Sequence, residues 1–205
     1  RFGATGNSTS GYFGGGMPGS KSTMDKVTYA SDTTVEVPGA ALSVGRYGLA
    51  ATGNSTHGYF GGGSFKTTVD RVDYTSDTTA EVPGAALSSG RRFLAATGNQ
   101  DFGYFGGGGT PSPKSTMDKL AYSSDTTAAV PGAALSTARN TLAATGNSTH
   151  GYFGGGNPSV YGSKSTMDKC TYSTDTTAVV PGAALSSARY LLGATGNSTA
   201  GYFGG

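Results

Sequence analysis

Residues 58 to 62 read Gly-Tyr-Phe-Gly-Gly, and this string decides the fold because the chain keeps repeating it. It recurs from Gly11, Gly103, Gly151 and Gly201, so successive copies lie 47, 45, 48 and 50 residues apart. A period in this range marks one supersecondary unit used several times. Within the string, adjacent Tyr and Phe project to opposite faces of a strand. An aromatic on each side calls for a sheet covered on both faces. One unit alone has nothing to cover it, so the copies must stack on one another.

Between these strings run four copies of a second block: Met24-Asp25-Lys26, Val69-Asp70-Arg71, Met117-Asp118-Lys119 and Met167-Asp168-Lys169. Each leads through Asp-Thr-Thr and Val-Pro-Gly-Ala-Ala-Leu-Ser to Arg46, Arg91, Arg139 or Arg189. The separation from the Met or Val to that Arg is 22 residues in every copy, and Arg46 to Gly63, Arg91 to Gly108 and Arg139 to Gly156 are all 17. The length differences therefore fall in one segment, where the glycine cluster and the Met/Val-Asp pair are 8, 6, 9 and 11 residues apart. A loop absorbs such changes cheaply, whereas a paired strand would lose register.

Each unit reads as four short strands. In the second copy these are Leu49 to Thr52, closed by the Gly53-Asn54 turn, then Gly58 to Gly61, Val69 to Tyr74, and Thr79 to Val82, which stops at Pro83-Gly84. No window holds a helical period. Stacked radially, such units give a β-propeller; stacked linearly, a solenoid. The glycines suit the crowded inner strands of a propeller. The expectation is an all-β array of propeller-like blades over residues 1–205, with blades near 1–42, 46–87, 91–135 and 139–185 and a partial one at 189–205; the alternative is an open linear stack. Because the sequence starts inside a unit and not on Met, it reads as a window on a longer polypeptide.

Composition narrows the function. Glycine is 36 of 205 residues, well above the roughly 7% average, yet 12 Tyr and 9 Phe at fixed positions argue for order. Net charge is +2 with 13% charged residues, and no basic run suits a nucleic-acid backbone. The single cysteine, Cys170, excludes an intramolecular disulfide, and no stretch reaches the 18 or so apolar residues of a membrane-spanning helix.

These units resemble kelch repeats. Gly-Tyr-Phe-Gly-Gly is similar to the kelch strand that closes on a double glycine. Val69-Asp70-Arg71-Val72-Asp73 resembles the kelch Val-Glu-Arg-Tyr-Asp segment, and Ala86-Leu87-Ser88-Ser89-Gly90-Arg91 resembles Pro-Leu-Pro-x-x-Arg. The kelch third-strand Tyr is Val27, Val72, Leu120 or Cys170 here, and the kelch Trp is absent. More narrowly, Ser115 to Lys119, Tyr122 to Ala128, Leu142 to Ser148 and Gly103 to Gly108 resemble repeats of structural and tail-fibre-like proteins of marine bacteriophages, cyanophages especially. That resemblance implies kelch-like blades in a module exposed on a virion or extracellular, serving assembly or host contact.

The candidate residues are few. The variable loops Met17 to Thr23, Ser64 to Thr68, Gly109 to Thr116 and Asn157 to Thr166 share one position in the repeat, hence one face, which is the usual binding face of an array. Lys21, Phe65, Lys66, Lys114, Tyr161 and Lys164 are its binding candidates. Asn7, Asn54, Asn147 and Asn197 open formal glycosylation sequons at turns. His57 and His150 lack further ligand-type neighbours, so no metal and no cofactor is expected. The Asp-Lys and Asp-Arg neighbours point opposite ways on a strand and are expected to form blade-to-blade salt bridges or solvated edges. The recurrent arginines are expected to bond neighbouring-blade carbonyls, or else to ring an anion at a propeller centre.

Three function classes follow. The first is a non-enzymatic structural or adhesive module of a virion or surface filament, whose partners are other copies, neighbouring structural proteins, or a host surface protein or glycan. The second is a kelch-type adaptor for protein partners. The third, a propeller enzyme, would need convergent polar residues at one end, and the repeats carry none.

Overall fold

The computed structural model describes residues 1–109, 111–159 and 162–205, so Tyr161 lies outside the described residues. The first sheet comprises β1 (Gly3–Gly6), β2 (Ser10–Gly14), β3 (Met24–Thr28) and β4 (Thr33–Glu36). The second holds β5 (Ala50–Gly53), β6 (His57–Gly61), β7 (Val69–Asp73) and β8 (Thr78–Glu81). The third holds β9 (Ala95–Gly98), β10 (Phe102–Gly106), β11 (Met117–Ala121) and β12 (Thr126–Ala129). The fourth holds β13 (Ala143–Gly146), β14 (His150–Gly154), β15 (Met167–Thr171) and β16 (Thr176–Val179). The fifth has two strands, β17 (Gly193–Gly196) and β18 (Gly201–Gly204). Consecutive strands pair antiparallel within each sheet, and no α-helix occurs among the described residues.

The sequence expectations hold to within a residue or so, and the shifts have local causes. The third strand stops at Asp73, not Tyr74, because Asp73 Oδ1 accepts the Thr75 and Ser76 amides at 2.8 and 2.9 Å and starts the turn there. The Pro-Gly-Ala segment after each fourth strand winds into a short 3-10 turn, at Pro38–Ala40, Pro83–Ala85, Pro131–Ala133 and Pro181–Ala183, which strand and turn patterns alone do not reveal.

Register is the same in all four complete sheets: Tyr12 lies opposite Lys26, Phe13 opposite Asp25 and Gly14 opposite Met24, and so on through the repeats. Three apolar clusters form, each drawn from two successive sheets, such as Tyr59, Leu87, Leu94, Phe105, Leu120 and Tyr122 between the second and third. Tyr59 and Phe60 are 1% and 0% exposed, as the two-faced strand requires. The last glycine of the Gly-Tyr-Phe-Gly string is, in the first four copies, where the next sheet's Phe sits. A Cβ on Gly61 would lie 2.7 Å from Phe105 Cε1, and one on Gly106 would lie 2.7 Å from Phe153 Cε1. Contact between successive sheets runs through their first strands, β1 to β5, β5 to β9, β9 to β13 and β13 to β17. The series of sheets is not closed on itself: Phe13 at one end is 37% exposed and Tyr202 at the other 64%.

Candidate functional site

Two polar networks repeat through the interior. In the first, Arg46, Arg91 and Arg139 are wholly buried and pair with the equally buried Asp70, Asp118 and Asp168, each at 2.8 Å. The same guanidinium donates to the carbonyl of Phe60, Phe105 or Phe153 at 2.9 to 3.0 Å. That carbonyl belongs to the sheet each arginine introduces, which corrects the expectation of a neighbouring-blade partner. It also corrects the anion-ring alternative, since three fully covered guanidiniums have no face left for a ligand. Burial pulls their pKa below the usual arginine range, against the opposing pull of the carboxylate. The aspartate also accepts the amide of Ser43, Ser88 or Ser136, which pins the connecting segment to the third strand.

The second network joins one sheet to the next. Tyr12 stacks on Tyr74, Tyr59 on Tyr122 and Tyr104 on Tyr172, with ring centroids 4.8 to 4.9 Å apart. The hydroxyls of Tyr12, Tyr59 and Tyr104 donate to Asp77, Asp125 and Asp175 of the following sheet. Lys26, Arg71 and Lys119 pair with those same carboxylates. In the first three sheets the basic member of the Asp-Lys or Asp-Arg pair thus does bridge sheets, whereas in the second to fourth sheets its acidic neighbour turns inward to the arginine. Hydrogen bonding to Asp77 pushes the Lys26 pKa up, and burial followed by the aspartate bond pushes Tyr59 and Tyr104 up.

The variable loops have a common construction. Amides of Lys21, Lys66, Lys114 and Lys164 donate to the carbonyls of Gly16, Gly63, Gly108 and Gly156 at 2.7 to 2.9 Å. Their own carbonyls accept the amides of Arg46, Arg91, Arg139 and Arg189 at 3.0 to 3.4 Å. The four candidate lysines are therefore equivalent positions, one per step of the array, and each closes the neck of a loop whose length changes only inside that neck. Phe65, 46% exposed, lies within the second loop at a φ of +61°.

The same end carries a cluster that the repeat pattern did not disclose. The Arg92 guanidinium lies 4.2 Å from the Phe65 ring centroid, 4.9 Å from Phe93 and 5.5 Å from Tyr47, and it donates to the Tyr47 hydroxyl. The one available signal is that the residue after the recurrent Arg changes from copy to copy: Tyr47, Arg92, Asn140, Tyr190. Beside it a backbone ladder crosses the sheets: the amides of Gly48, Phe93, Thr141 and Leu191 donate to the carbonyls of Arg1, Gly48, Phe93 and Thr141. All four donors have φ between +54° and +67°, a strained conformation for Phe, Thr and Leu.

The opposite end is made of Asn turns. Oδ1 of Asn7, Asn54, Asn147 and Asn197 accepts the amides two and three residues on. Nδ2 of Asn7 and Asn54 reaches the next unit's turn, at Ser55 and Gln100. His57 and His150 bond Thr56 and Thr149, and His57 Nε2 lies 3.4 Å from Asp73. No group of three or more His, Cys, Asp or Glu is arranged to hold a metal among the described residues. No helix of the described residues is long and apolar enough to cross a membrane. Compared with family models and with curated proteins, the chain matches none.

Proposed function

We propose that this chain is a non-enzymatic structural and adhesive module of a virion or surface filament, built of kelch-like blades fanned about an axis. Its variable-loop end is the contact surface for a host protein or glycan. The observation that carries the reading is a division of labour. The arginine–aspartate network is committed to holding each connector on the sheet it introduces and the tyrosine–aspartate–lysine network to joining sheets, while length variation is confined to one end, where four equivalent lysines and the Arg92–Phe65–Tyr47 cluster stand. Inter-sheet contact through the first strands supports the radial fan, as does the Arg1 guanidinium reaching the Thr141 carbonyl at 3.4 Å from three sheets away.

The test has two parts. Electron microscopy of the purified protein is expected to give fanned or ring-like particles, and straight rods would end the blade reading. In binding assays on arrayed glycans and intact bacterial cells, the wild type is expected to bind. Replacing Phe65, Lys66 and Arg92 by Ala is expected to abolish binding without changing the unfolding transition. Binding that survives this triple change, or substrate turnover, would defeat the adhesive reading. The adaptor reading is favoured by one feature, the arginine set among aromatics, a composition enriched in protein–protein hot spots. Under it, the same triple variant loses a protein partner and not a glycan.

A further inference from the structure

The variable-loop end carries charge of one sign. No Asp or Glu stands in the four variable loops or in the connectors 41–48, 86–93 and 134–141. The carboxylates lie on third and fourth strands, in the turns between them, and at Asp101 in an Asn turn. Lys21, Lys66, Lys114, Lys164 and Arg92 pair with none of them among the described residues, whereas Lys26, Arg71 and Lys119 each have a carboxylate partner. The backbone sets these cations in a row. The carbonyls of Lys21, Lys66 and Lys114 accept the amides of Arg46, Arg91 and Arg139, which immediately precede Tyr47, Arg92 and Asn140. Those three residues in turn bond main chain to main chain with Ser64, Gly109 and Asn157, which open the next loop. An invariant lysine and a variable side chain thus alternate across the face. Arg92 is already held in place: the ring centroids of Phe65, Phe93 and Tyr47 lie within 5.5 Å of its guanidinium carbon, and Nη1 donates to the Tyr47 hydroxyl. Its Nε and Nη2 hold no hydrogen bond among the described residues.

We infer that this row binds an acidic glycan, one that carries a single uronate in each disaccharide. The inference rests on the contact-surface reading of the loop end and names the ligand class. Charge spacing separates it from other polyanions. Packed sheets lie about 10 Å apart and each contributes one lysine, so the invariant cations come about 10 Å apart or more. A strand of DNA presents a phosphate about every 3.4 Å and would leave most of its charge unmatched. A chain with one carboxylate in every second sugar spaces its charge on the scale of the sheets. Arg92 is the anchor, because its planar fork suits a carboxylate and its rotamer is fixed by the three rings. Lys66 follows Phe65 directly and adds a second positive charge at the same step. Phe65, 46% exposed, offers an apolar ring to the C–H face of a sugar. Tyr47 and Asn140, on either side of Arg92 in the row, bring a hydroxyl and an amide for neutral sugar hydroxyls. Each exposed ionic contact is weak by itself, and the lysine repeated over four steps raises affinity by multivalency.

The probe is a fluorescein-labelled hyaluronan oligosaccharide, which has one carboxylate per disaccharide, titrated with the 205-residue protein. Saturable binding by fluorescence anisotropy is expected, and it should weaken as salt is added. The carboxyl-reduced oligosaccharide, in which each uronate is a neutral glucose, is expected to bind about tenfold more weakly or worse, the scale of one lost charge-assisted contact. Arg92→Gln should weaken binding of the acidic form by a similar factor. Lys66→Gln should also weaken it, and keeps the comparison valid if removing Arg92 disturbs its aromatic neighbours. Absence of saturable binding, equal affinity for the carboxyl-reduced form, unchanged affinity in both variants, or tighter binding of an oligothymidylate of equal charge would overturn the inference. A protein that binds bacterial cells but not hyaluronan defeats the acidic-glycan assignment alone. Cell binding that survives the triple change at Phe65, Lys66 and Arg92 defeats the contact-surface reading beneath it.

Discussion

The boundary between the third and fourth sheets and the boundary between the fourth and fifth are written in nearly the same residues, yet they differ throughout. At the first, Tyr104 is fully buried, stacked on Tyr172 and bonded to Asp175, and Arg139 in the adjoining connector is sealed against Asp168. At the second, Tyr152 is only half-buried, Tyr202 is 64% exposed, and Arg189 has no carboxylate partner among the described residues. A Tyr or Arg of this repeat is therefore not a core residue by its own nature. It becomes one when a third strand and a following sheet arrive, as expected of arrays in which interface terms between neighbours carry the stability.

The comparison can be broken most sharply at the aromatic positions. Phe105→Ala removes a fully buried ring lodged over Gly61 and is expected to cost about 3–5 kcal/mol, whereas Phe13→Ala, at the uncovered end, should cost about 1 kcal/mol or less. Chemical denaturation with exchange measured repeat by repeat separates the two, and equal costs would contradict the stacking account. Next comes the buried ion pair. Asp118→Ala leaves Arg91 charged and enclosed, at an expected cost of about 3–5 kcal/mol. Arg189→Ala, where no ion pair exists among the described residues, should change stability by less than about 0.5 kcal/mol. The double change Arg91→Met with Asp118→Leu should recover most of the loss, because the pair is costly to break but not to replace.

A pH experiment sharpens the same contrast more gently. Burial pushes Tyr74 from 10.0 up to about 12 and Cys170 from 9.0 up to about 11. Both groups are neutral when protonated, so the native state holds these protons more tightly than the unfolded chain does. Their contribution is complete below pH 9 and is lost progressively as the pH rises towards 12. Thermal unfolding followed by circular dichroism should weaken across that window, and a flat profile would show the interfaces to be open. The smallest effect belongs to the partly exposed bridge. Lys119→Ala should cost about 1 kcal/mol or less and should be masked by added salt.

Much of this was legible in the amino acids. The Tyr-Phe alternation dictated two covered faces, the constant spacings gave the strands to within a residue or so, and the variable spacing marked the loops. The arginine–aspartate pair was not legible. Asp70 and Arg71 can be seen to diverge, but nothing local says which turns inward, and the partner Arg46 sits on a connector in an earlier stretch of chain. Pairing across a fold is decided by which groups share a dry space, and periodicity does not report that. The Arg92 cluster was hidden for the opposite reason: it occurs in one copy, so a search for what repeats passes over it. The backbone ladder through Gly48, Phe93, Thr141 and Leu191 uses dissimilar side chains and leaves no pattern to find.

The closed loop necks have a practical corollary. Because the bonds from Gly108 to Lys114 and from Lys114 to Arg139 close the loop ahead of the strands, with Gly109 inside it tied to Arg92, foreign peptides grafted beyond Gly109 should leave strand pairing undisturbed. With an equivalent neck at each of four successive steps, the molecule is laid out as a display rack, able to present several unrelated epitopes side by side.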